Sequence, residues 1–364
     1  MQPDLIYWNA IAQINKIGPK RFKKLYNHFP NMETAFRASL SELIQSGLEE
    51  KIASEFILRR QEIDPETEWQ KLEKEQIKII TVKDEKYPKL LKEIYTPPPI
   101  LYYKGVLSNN DEFPIAVVGT RKFTPYGKQV TEQIVGELAQ NGITIISGLA
   151  LGIDAIAHQA ALDANGRTIA ILGSGIDFKS IYPTHNRYLF QKIIETDGLV
   201  ATEYPINTLP LKQNFPARNR IVSGLSLGTL VVEAPEESGA LITARHALDQ
   251  NREVFAVPGS INSRNSMGPN NLIKMGAKTV TNASDILETL DLTQATDFIA
   301  NQKIIPESKE EEIILNLLSH EPIHVDEITR KSNLSIQSVT SVLTIMEMKG
   351  KVKNLGGMNY ILAR

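Results

Sequence analysis

Apolar residues recur at three- and four-residue spacing through the first part of the chain, at residues 11–17 and again at 22–29. This spacing is that of one face of an amphipathic helix. Gly18 and Pro19 interrupt it, and a glycine-proline turn that starts a helix leaves backbone N–H groups free to meet a phosphate, as in helix-hairpin-helix modules. A plain turn between two packed helices also fits, and we favour it. The pattern predicts a helical domain over residues 1–65, and we expect it to be similar to SAM or helix-hairpin-helix domains.

A proline-containing segment, residues 66–111, is predicted to connect this domain to the core. The next region, residues 112–295, alternates helical patterns with short continuous apolar runs, the pattern of strands buried on both faces. These runs are residues 115–118, 143–146, 168–172, 229–232 and 253–257. Their order predicts an α/β fold with a Rossmann-like, doubly wound, mostly parallel sheet. Ligands of such sheets bind beyond the carboxyl ends of the strands.

After a polar linker at residues 296–309, residues 310–364 have a winged-helix outline. Helical patterns flank a turn at Asn333, and Gly356 and Gly357 mark a terminal hairpin. This segment has six Lys and Arg residues against seven Asp and Glu residues. A wing that is not basic leaves protein contact, a linker role and DNA binding all open.

Composition narrows the possible functions. The 364 residues contain no cysteine, which excludes disulfides, thiolate catalysis and zinc sites with sulfur ligands. The formal net charge is −2, so any nucleic-acid binding must come from a local site and not from a basic field over the whole chain. The amino terminus lacks a signal-peptide pattern and no run approaches the roughly 18 apolar residues of a membrane helix. We therefore expect a cytoplasmic protein without membrane contact.

The predicted strands end in loops of small residues. Glycine lets a backbone approach an anion, and a helix that begins just after the loop offers free N–H groups and a positive dipole end. Several such loops at one sheet edge predict an extended anion-binding rim. The residues that follow the first three strands are Gly119, Thr120 and Arg121, then Ser147 and Gly148, then Gly173, Ser174 and Gly175.

Basic and aromatic residues follow the same edge. Arg121 comes after the first strand, and Arg218 and Arg220 flank Asn219, with Phe215 three residues before Arg218. Guanidinium groups bind phosphate oxygens in a forked geometry, and aromatic rings stack on unpaired bases. This combination predicts a site for single-stranded nucleic acid. Further candidate stacking rings are Phe178, Tyr182 and Tyr204.

The alternative is that the two arginines of residues 215–220 form internal ion pairs. Glu233, in the loop that follows a later strand, is one such candidate carboxylate. We favour phosphate binding for Arg121, Arg218 and Arg220.

Several enzymatic patterns come close and then fail. Residues 127–129 lack the spacing and the Ser or Thr of a P-loop, and residues 173–178 lack the last glycine of the dinucleotide fingerprint. Residues 224–228 satisfy the nucleophile-elbow string but precede a strand, where the motif requires a strand-to-helix turn. Asp154 and His158 stand four apart, a spacing that suits a metal, but a buried structural pair is the favoured interpretation. We expect no catalytic residue, no metal and no cofactor.

Taken together, these stretches resemble the DprA (Smf) family of DNA-processing proteins. The matching strings are VGTR at 118–121, SGLALGIDA at 147–155, LGSG at 172–175, YP at 182–183 with Asn186, EYP at 203–205, FPARNRI at 215–221, VEA at 232–234, SGALITA at 238–244 and AVPG at 256–259. The resemblance spans the predicted sheet and agrees with the regions on either side of it.

The resemblance implies a homodimer that binds single-stranded DNA, protects it and loads the RecA recombinase on incoming strands in natural transformation and recombination, without a nucleotide cofactor. It maps the DNA pocket onto Arg121, Phe215, Arg218, Asn219 and Arg220, with Ser238 and Gly239 beside it. Adding the loop residues predicted above gives the full expected site: Gly119, Thr120, Arg121, Ser147, Gly148, Gly173, Ser174, Gly175, Phe215, Arg218, Asn219, Arg220, Ser238 and Gly239.

Two other functions remain open at this point. One is a nucleotide phosphoribohydrolase with a Rossmann-like fold. That class uses a Pro-Gly-Gly-x-Gly-Thr string followed by a helical glutamate, whereas residues 238–244 here contain neither. The other is a transcription regulator that binds duplex DNA through its winged helix.

Overall fold

A computed structural model describes residues 3–14, 16–108, 111, 113–292, 308–318, 322–348 and 351–362. The chain forms two compact units, residues 1–290 and 291–364. Within the described part of the chain, no helix is both long enough and apolar enough to cross a membrane.

The amino-terminal part is helical, as predicted. Pro19 and Pro65 each stand in the first turn of a helix, where a missing backbone N–H costs nothing. Asn31 and Ser39 cap the helices that follow them. The helices are α1 (Pro3–Ala12), α2 (Pro19–His28), α3 (Met32–Arg37), α4 (Leu40–Gln45), α5 (Glu50–Arg60) and α6 (Pro65–Lys74).

These helices share one hydrophobic core with the sheet. Buried side chains such as Phe22 and Phe56 belong to the same cluster as Tyr102 and Ile171 of the strands. The predicted connecting segment also enters the sheet, because it contains β1 (Lys78–Thr81), α7 (Lys89–Lys92) and β2 (Ile100–Gly105). The first 290 residues are therefore one compact unit.

The sheet has the strand order β1-β2-β6-β5-β4-β3-β7-β8-β9. Its strands from β3 onward are β3 (Pro114–Val118), β4 (Thr144–Ser147), β5 (Thr168–Ile171), β6 (Leu199–Thr202), β7 (Gly228–Val231), β8 (Glu253–Ala256) and β9 (Lys278–Thr279). These strands pair in parallel, whereas β2 pairs antiparallel with β6, and β1 with β2. Every residue of β3 to β7 is buried, which explains their unbroken apolar runs.

The predicted doubly wound sheet is confirmed. From β3 the chain winds outward to β6, and then returns to the other side of β3 with β7 to β9. The loops that follow β3 and β7 diverge at this switch point, which leaves a crevice beyond the strand ends. The helices of this region are α8 (Pro125–Gln140), α9 (Ile153–Asp163), α10 (Arg187–Glu195), α11 (Asn214–Gly224), α12 (Gly239–Asp249), α13 (Met267–Lys274) and α14 (Ala283–Thr289).

The second unit has the predicted winged-helix architecture. Asn333 adopts the left-handed conformation between two helices, and Gly356 and Gly357 have positive φ in the terminal hairpin. A separate core of apolar side chains holds the unit together. Its elements are α15 (Lys309–Leu315), β10 (Ile323–His324), α16 (Val325–Ser332), α17 (Ile336–Met348), β11 (Val352–Asn354) and β12 (Asn359–Leu362), with the strand order β10-β12-β11.

Candidate nucleic-acid interface

A cleft of about 780 Å³ lies at the switch point of the sheet. Three elements form its walls: the loop after β3, the amino-terminal half of α11, and the start of α12. Of the expected site residues it is lined by Gly119, Thr120, Arg121, Phe215, Arg218, Asn219, Ser238 and Gly239. The carboxyl edge of the sheet therefore holds a concave site, as the strand pattern predicts.

Arg121 is the exposed cation of this cleft. Its guanidinium carbon lies 5.6 Å from the centre of the Phe215 ring, a cation-π arrangement. No acidic side chain pairs with it among the residues that the structure describes. Gly152 packs closely against this loop. Only glycine fits there, because its φ is 86° and an added Cβ would lie 2.3 Å from the Thr120 carbonyl oxygen. Arg121 thus keeps its charge available to an anion.

Glu233, two residues after the end of β7, fixes the loop that carries Arg121. Its buried carboxylate accepts hydrogen bonds from the backbone N–H of Thr124 at 2.9 Å and from the Thr124 hydroxyl at 2.5 Å. A Cβ at Gly127 would lie 2.3 Å from the same carboxylate, so glycine is needed for this approach. The sequence alternative, in which Glu233 pairs with Arg218 or Arg220, is wrong, because the carboxylate holds this loop.

Arg218 lies on the cleft-facing side of α11 but is buried, with 4% exposure. Its Nη1 donates to the carbonyl oxygens of Gly148, at 2.6 Å, and Ile171. Burial lowers the pKa of the guanidinium, and the charge of Asp154 opposes that effect. Arg218 therefore joins the ends of β4 and β5 through Nη1, and its Nε donates to Asn219 Oδ1 at 3.3 Å.

Arg220 does not reach the cleft, which corrects the expectation of converging arginines. Its Nη2 forms an ion pair with a carboxylate oxygen of Glu203, and its Nη1 donates to the Thr96 carbonyl oxygen at 2.7 Å. Residues two apart in a helix point to nearly opposite sides, so α11 turns Arg220 away from Arg218. The internal ion pair that the alternative interpretation described exists, but with Glu203.

Most of the expected residues at the carboxyl ends of β4 and β5 pack behind the cleft and do not line it. The buried Ser147 hydroxyl donates to the Val117 carbonyl oxygen at 2.6 Å. The buried Ser174 hydroxyl donates to the Gly175 carbonyl oxygen at 3.1 Å. Gly173 packs against the Phe215 ring. Ser147, Gly173, Ser174 and Gly175 do not line the main cleft, and Gly148 lines a small recess beside it.

Two further side chains of the cleft bear on binding: Lys212, which the pattern did not indicate, and Tyr182, which it named as a candidate stacking ring. Lys212 lines it with an exposed side chain and has no acidic partner in the described ranges. Tyr182 also lines it, 44% exposed, with its ring centre 5.9 Å from that of Phe215. Of the three candidate stacking rings, Tyr182 is thus the one in the cleft. Phe178 and Tyr204 lie outside it.

The start of α12 completes the wall. The Ser238 hydroxyl accepts a hydrogen bond from the Ala240 N–H at 3.3 Å, and Asn219 donates to the Gly239 carbonyl oxygen at 3.1 Å. Asn219 therefore ties α11 to α12 across the cleft. The positive end of the α12 dipole opens into the same space that Arg121 and Lys212 border.

Asp154 and His158 are both buried, but they are not partners of each other. Asp154 accepts from the N–H groups of Gly148 and Ala150 at 3.1 and 3.4 Å, and burial raises its pKa while the charge of Arg218 opposes that effect. His158 Nδ1 lies 2.6 Å from the Thr168 hydroxyl oxygen. No group of three metal-ligating side chains occurs in the described part of the chain.

We predict that His158 makes stability depend on pH. Burial, with a smaller effect of Arg218, lowers its pKa from 6.5 to about 3. The unfolded chain takes up a proton below pH 6.5 and the folded chain does not, so stability falls as the pH falls from 6.5 towards 3. The free energy of unfolding at pH 5.5 should be about 1 kcal/mol lower than at pH 7. Urea unfolding at pH 7 and 5.5 tests this: His158→Gln should show a smaller loss than the unchanged chain, and an equal loss in both would contradict it.

Comparison with known proteins identifies the family. The sequence profile described as DNA recombination-mediator protein A matches residues 78–291, more than half of the chain. The chain belongs to this family. A second profile, the DprA winged helix domain, matches residues 300–358. The two profiles thus cover the sheet of the first compact unit and most of the second unit.

Individual relatives agree. Protein Smf of Synechocystis is 38% identical over 97% of this chain and 98% of its own length. The DNA processing protein DprA of Bacillus subtilis is 46% identical over 59% of this chain and 71% of its own length. The crystal structure of DprA from Streptococcus pneumoniae matches with a TM-score of 0.67 and 36% identity, covering 78% of this chain and 97% of that one.

A further solved structure is described as showing the single-stranded DNA binding mode of DNA processing protein A from Helicobacter pylori. It matches with a TM-score of 0.53 and 36% identity, and covers 59% of this chain and 95% of that one.

Proposed function

We propose that the switch-point cleft of this DprA-family chain binds single-stranded DNA without catalysing a reaction on it. The observation that carries the proposal is the exposed Arg121 guanidinium beside the Phe215 ring. No acidic side chain pairs with Arg121 among the described residues, although Glu237 also lines the cleft. Arg121 and Lys212 bind phosphates, and the positive end of α12 adds to their attraction. Phe215 and Tyr182 offer ring faces to bases.

Ring faces explain a preference for single strands. Bases in a duplex already stack on each other, whereas an unpaired base gains about 1–3 kcal/mol by stacking on an aromatic side chain. The Helicobacter pylori relative, whose structure is described as a single-stranded DNA binding mode, supports the same ligand for this chain.

Fluorescence anisotropy with single-stranded and duplex probes of equal length tests the proposal. We expect tighter binding of the single strand, and an affinity that falls with salt at a log-log slope of about −0.7 for each neutralised phosphate. The reason is the release of counterions when Arg121 and Lys212 replace them. Equal affinity for both probes, or an affinity independent of salt, would contradict the proposal.

We further propose that the chain protects incoming DNA and loads the RecA recombinase on it in natural transformation and recombination, acting as a homodimer. The family description as a recombination mediator supports this role. RecA-dependent ATP hydrolysis on DNA coated with single-strand-binding protein should start sooner when the chain is added. Light scattering should give a mass of twice 40.6 kDa. An unchanged lag or a monomer mass would contradict the respective proposal.

A further inference from the structure

A second cleft, of about 560 Å³, adjoins the switch-point cleft. The segment of residues 210–215 separates the two and supplies a wall to each. Its residues are divided between them: Pro210, Lys212 and Phe215 line the switch-point cleft, whereas Leu211, Gln213 and Asn214 line the second cleft. A chain that crosses this short segment would pass from one cleft into the other.

The hairpin between α1 and α2 forms the facing wall of the second cleft. Gly18 and Pro19 line it, and a Cβ at Gly18 would meet no atom within 4 Å, so the turn is open. Gly18 gives α2 no side-chain cap, which leaves the first N–H groups of this ten-residue helix without that partner. The Gln13 Nε2 atom, in a residue that also lines the cleft, is buried and has no hydrogen-bond partner within the described residues.

An exposed aromatic ring stands beside this hairpin. Tyr95 is 85% exposed, and Lys20 Nζ lies 5.0 Å from the centre of its ring. Two neighbouring cations of α2 are engaged, since Arg21 pairs with Glu49 and Lys24 donates to the Gly47 carbonyl oxygen. Lys20 has no acidic partner in the described ranges. A free ammonium group beside an exposed ring repeats the arrangement of Arg121 and Phe215.

The separating segment is itself suited to a strand that crosses it. Leu209 is 66% exposed and Leu211 45% exposed, so an apolar surface lies between the two clefts. Sugars and base edges pack on such surfaces, while phosphates meet the cations on either side.

We propose that the second cleft, with Lys20 and Tyr95 beside it, binds the continuation of the single strand held in the switch-point cleft. The inference rests on the proposed function, because it extends the same ligand. Lys20 and the open amino end of α2 bind backbone phosphates, and Tyr95 stacks on an unpaired base. The amino-terminal helices thereby enlarge the DNA footprint of the full chain.

Oligonucleotide length separates the two clefts. We expect Lys20→Ala and Tyr95→Ala each to weaken binding of a single strand of about 20 nucleotides by roughly tenfold, and to leave a probe of about 6 nucleotides unaffected. Lys20→Ala should also reduce the salt slope of the long probe by about 0.7. Tyr95→Phe keeps the ring and should retain the affinity. Lys51→Ala, an exposed cation on α5, is the charge control.

The outcomes distinguish this inference from the proposed function. If Arg121→Ala weakens both probes and the Lys20 and Tyr95 variants weaken neither, the second cleft does not bind DNA and the first one does. If Arg121→Ala weakens neither probe, the proposed function itself fails. Equal weakening of the short and long probes by Lys20→Ala, or weakening of duplex binding alone, would also overturn the inference. All substituted side chains are exposed, so melting temperatures should stay unchanged.

Discussion

Arg121→Ala is expected to bind a single-stranded oligonucleotide about 10- to 100-fold more weakly than the unchanged chain, the effect of removing a charged hydrogen bond. The salt slope should become shallower by about 0.7, because one phosphate is no longer neutralised. Arg121 is exposed and has no acidic partner in the described residues, so the fold should not change. Anisotropy titrations over a salt series measure both quantities.

Lys274→Ala is the matched control for this experiment. Lys274 is an exposed cation in the last turn of α13, next to the start of β9 and therefore at the sheet edge opposite the cleft. Lys274→Ala changes the net charge by the same amount as Arg121→Ala, but it should leave the affinity for the oligonucleotide and the salt slope unchanged. Equal losses in the two variants would mean that overall charge, and not the cleft, determines binding.

Arg218→Ala is expected to lower the free energy of unfolding by about 3–5 kcal/mol. The substitution removes the donor to the carbonyl oxygens of Gly148 and Ile171 and leaves the buried Asp154 without its opposing charge. Urea unfolding followed by circular dichroism measures the loss. We therefore expect Arg218 to act on stability first, with DNA binding affected only through the position of the surrounding loops.

Arg218→Lys separates charge from geometry. Lysine keeps the charge opposite Asp154 but lacks the forked guanidinium that reaches two carbonyl groups. The free energy of unfolding of Arg218→Lys should therefore lie between those of Arg218→Ala and the unchanged chain. If Arg218→Ala instead unfolded at the same urea concentration as the unchanged chain and had a shallower salt slope in DNA binding, Arg218 would be a direct phosphate ligand.

The fold was predictable because its signals are local. The buried strands read as unbroken apolar runs and their loops as small residues, which together predict the sheet and the edge at which the cleft lies. The strands β6 and β9 were not among the predicted runs. Strands β1 and β2 were not predicted either, although residues 78–81 and 100–105 are β-branched or aromatic in large part. The prolines beside β1 and β2 favoured a connecting segment. The two strands join the sheet only because β2 pairs with β6 and β1 pairs with β2.

The site was predictable in place but not in the role of each side chain. Arg218 and Arg220 look equivalent in a string, yet the helical repeat separates them by about 200°. Applying that repeat to residues 215–220 would have assigned Phe215, Arg218 and Asn219 to one face and Arg220 to the other. Burial of Arg218 could not be inferred in this way, because it depends on carbonyl groups far away in the chain. Lys212 carries no local signal and was missed.

The antiparallel strand β2 has a consequence for how the chain can be shortened. It pairs with β6 along residues 199–202, and β1 in turn pairs with β2. A fragment that began at residue 112, where the predicted core region starts, would leave β6 at the border of the sheet with unpaired backbone N–H and C=O groups. Exposed borders of this kind recruit other chains and aggregate. We therefore expect a fragment that begins before residue 78 to stay monodisperse and one that begins at residue 112 to aggregate.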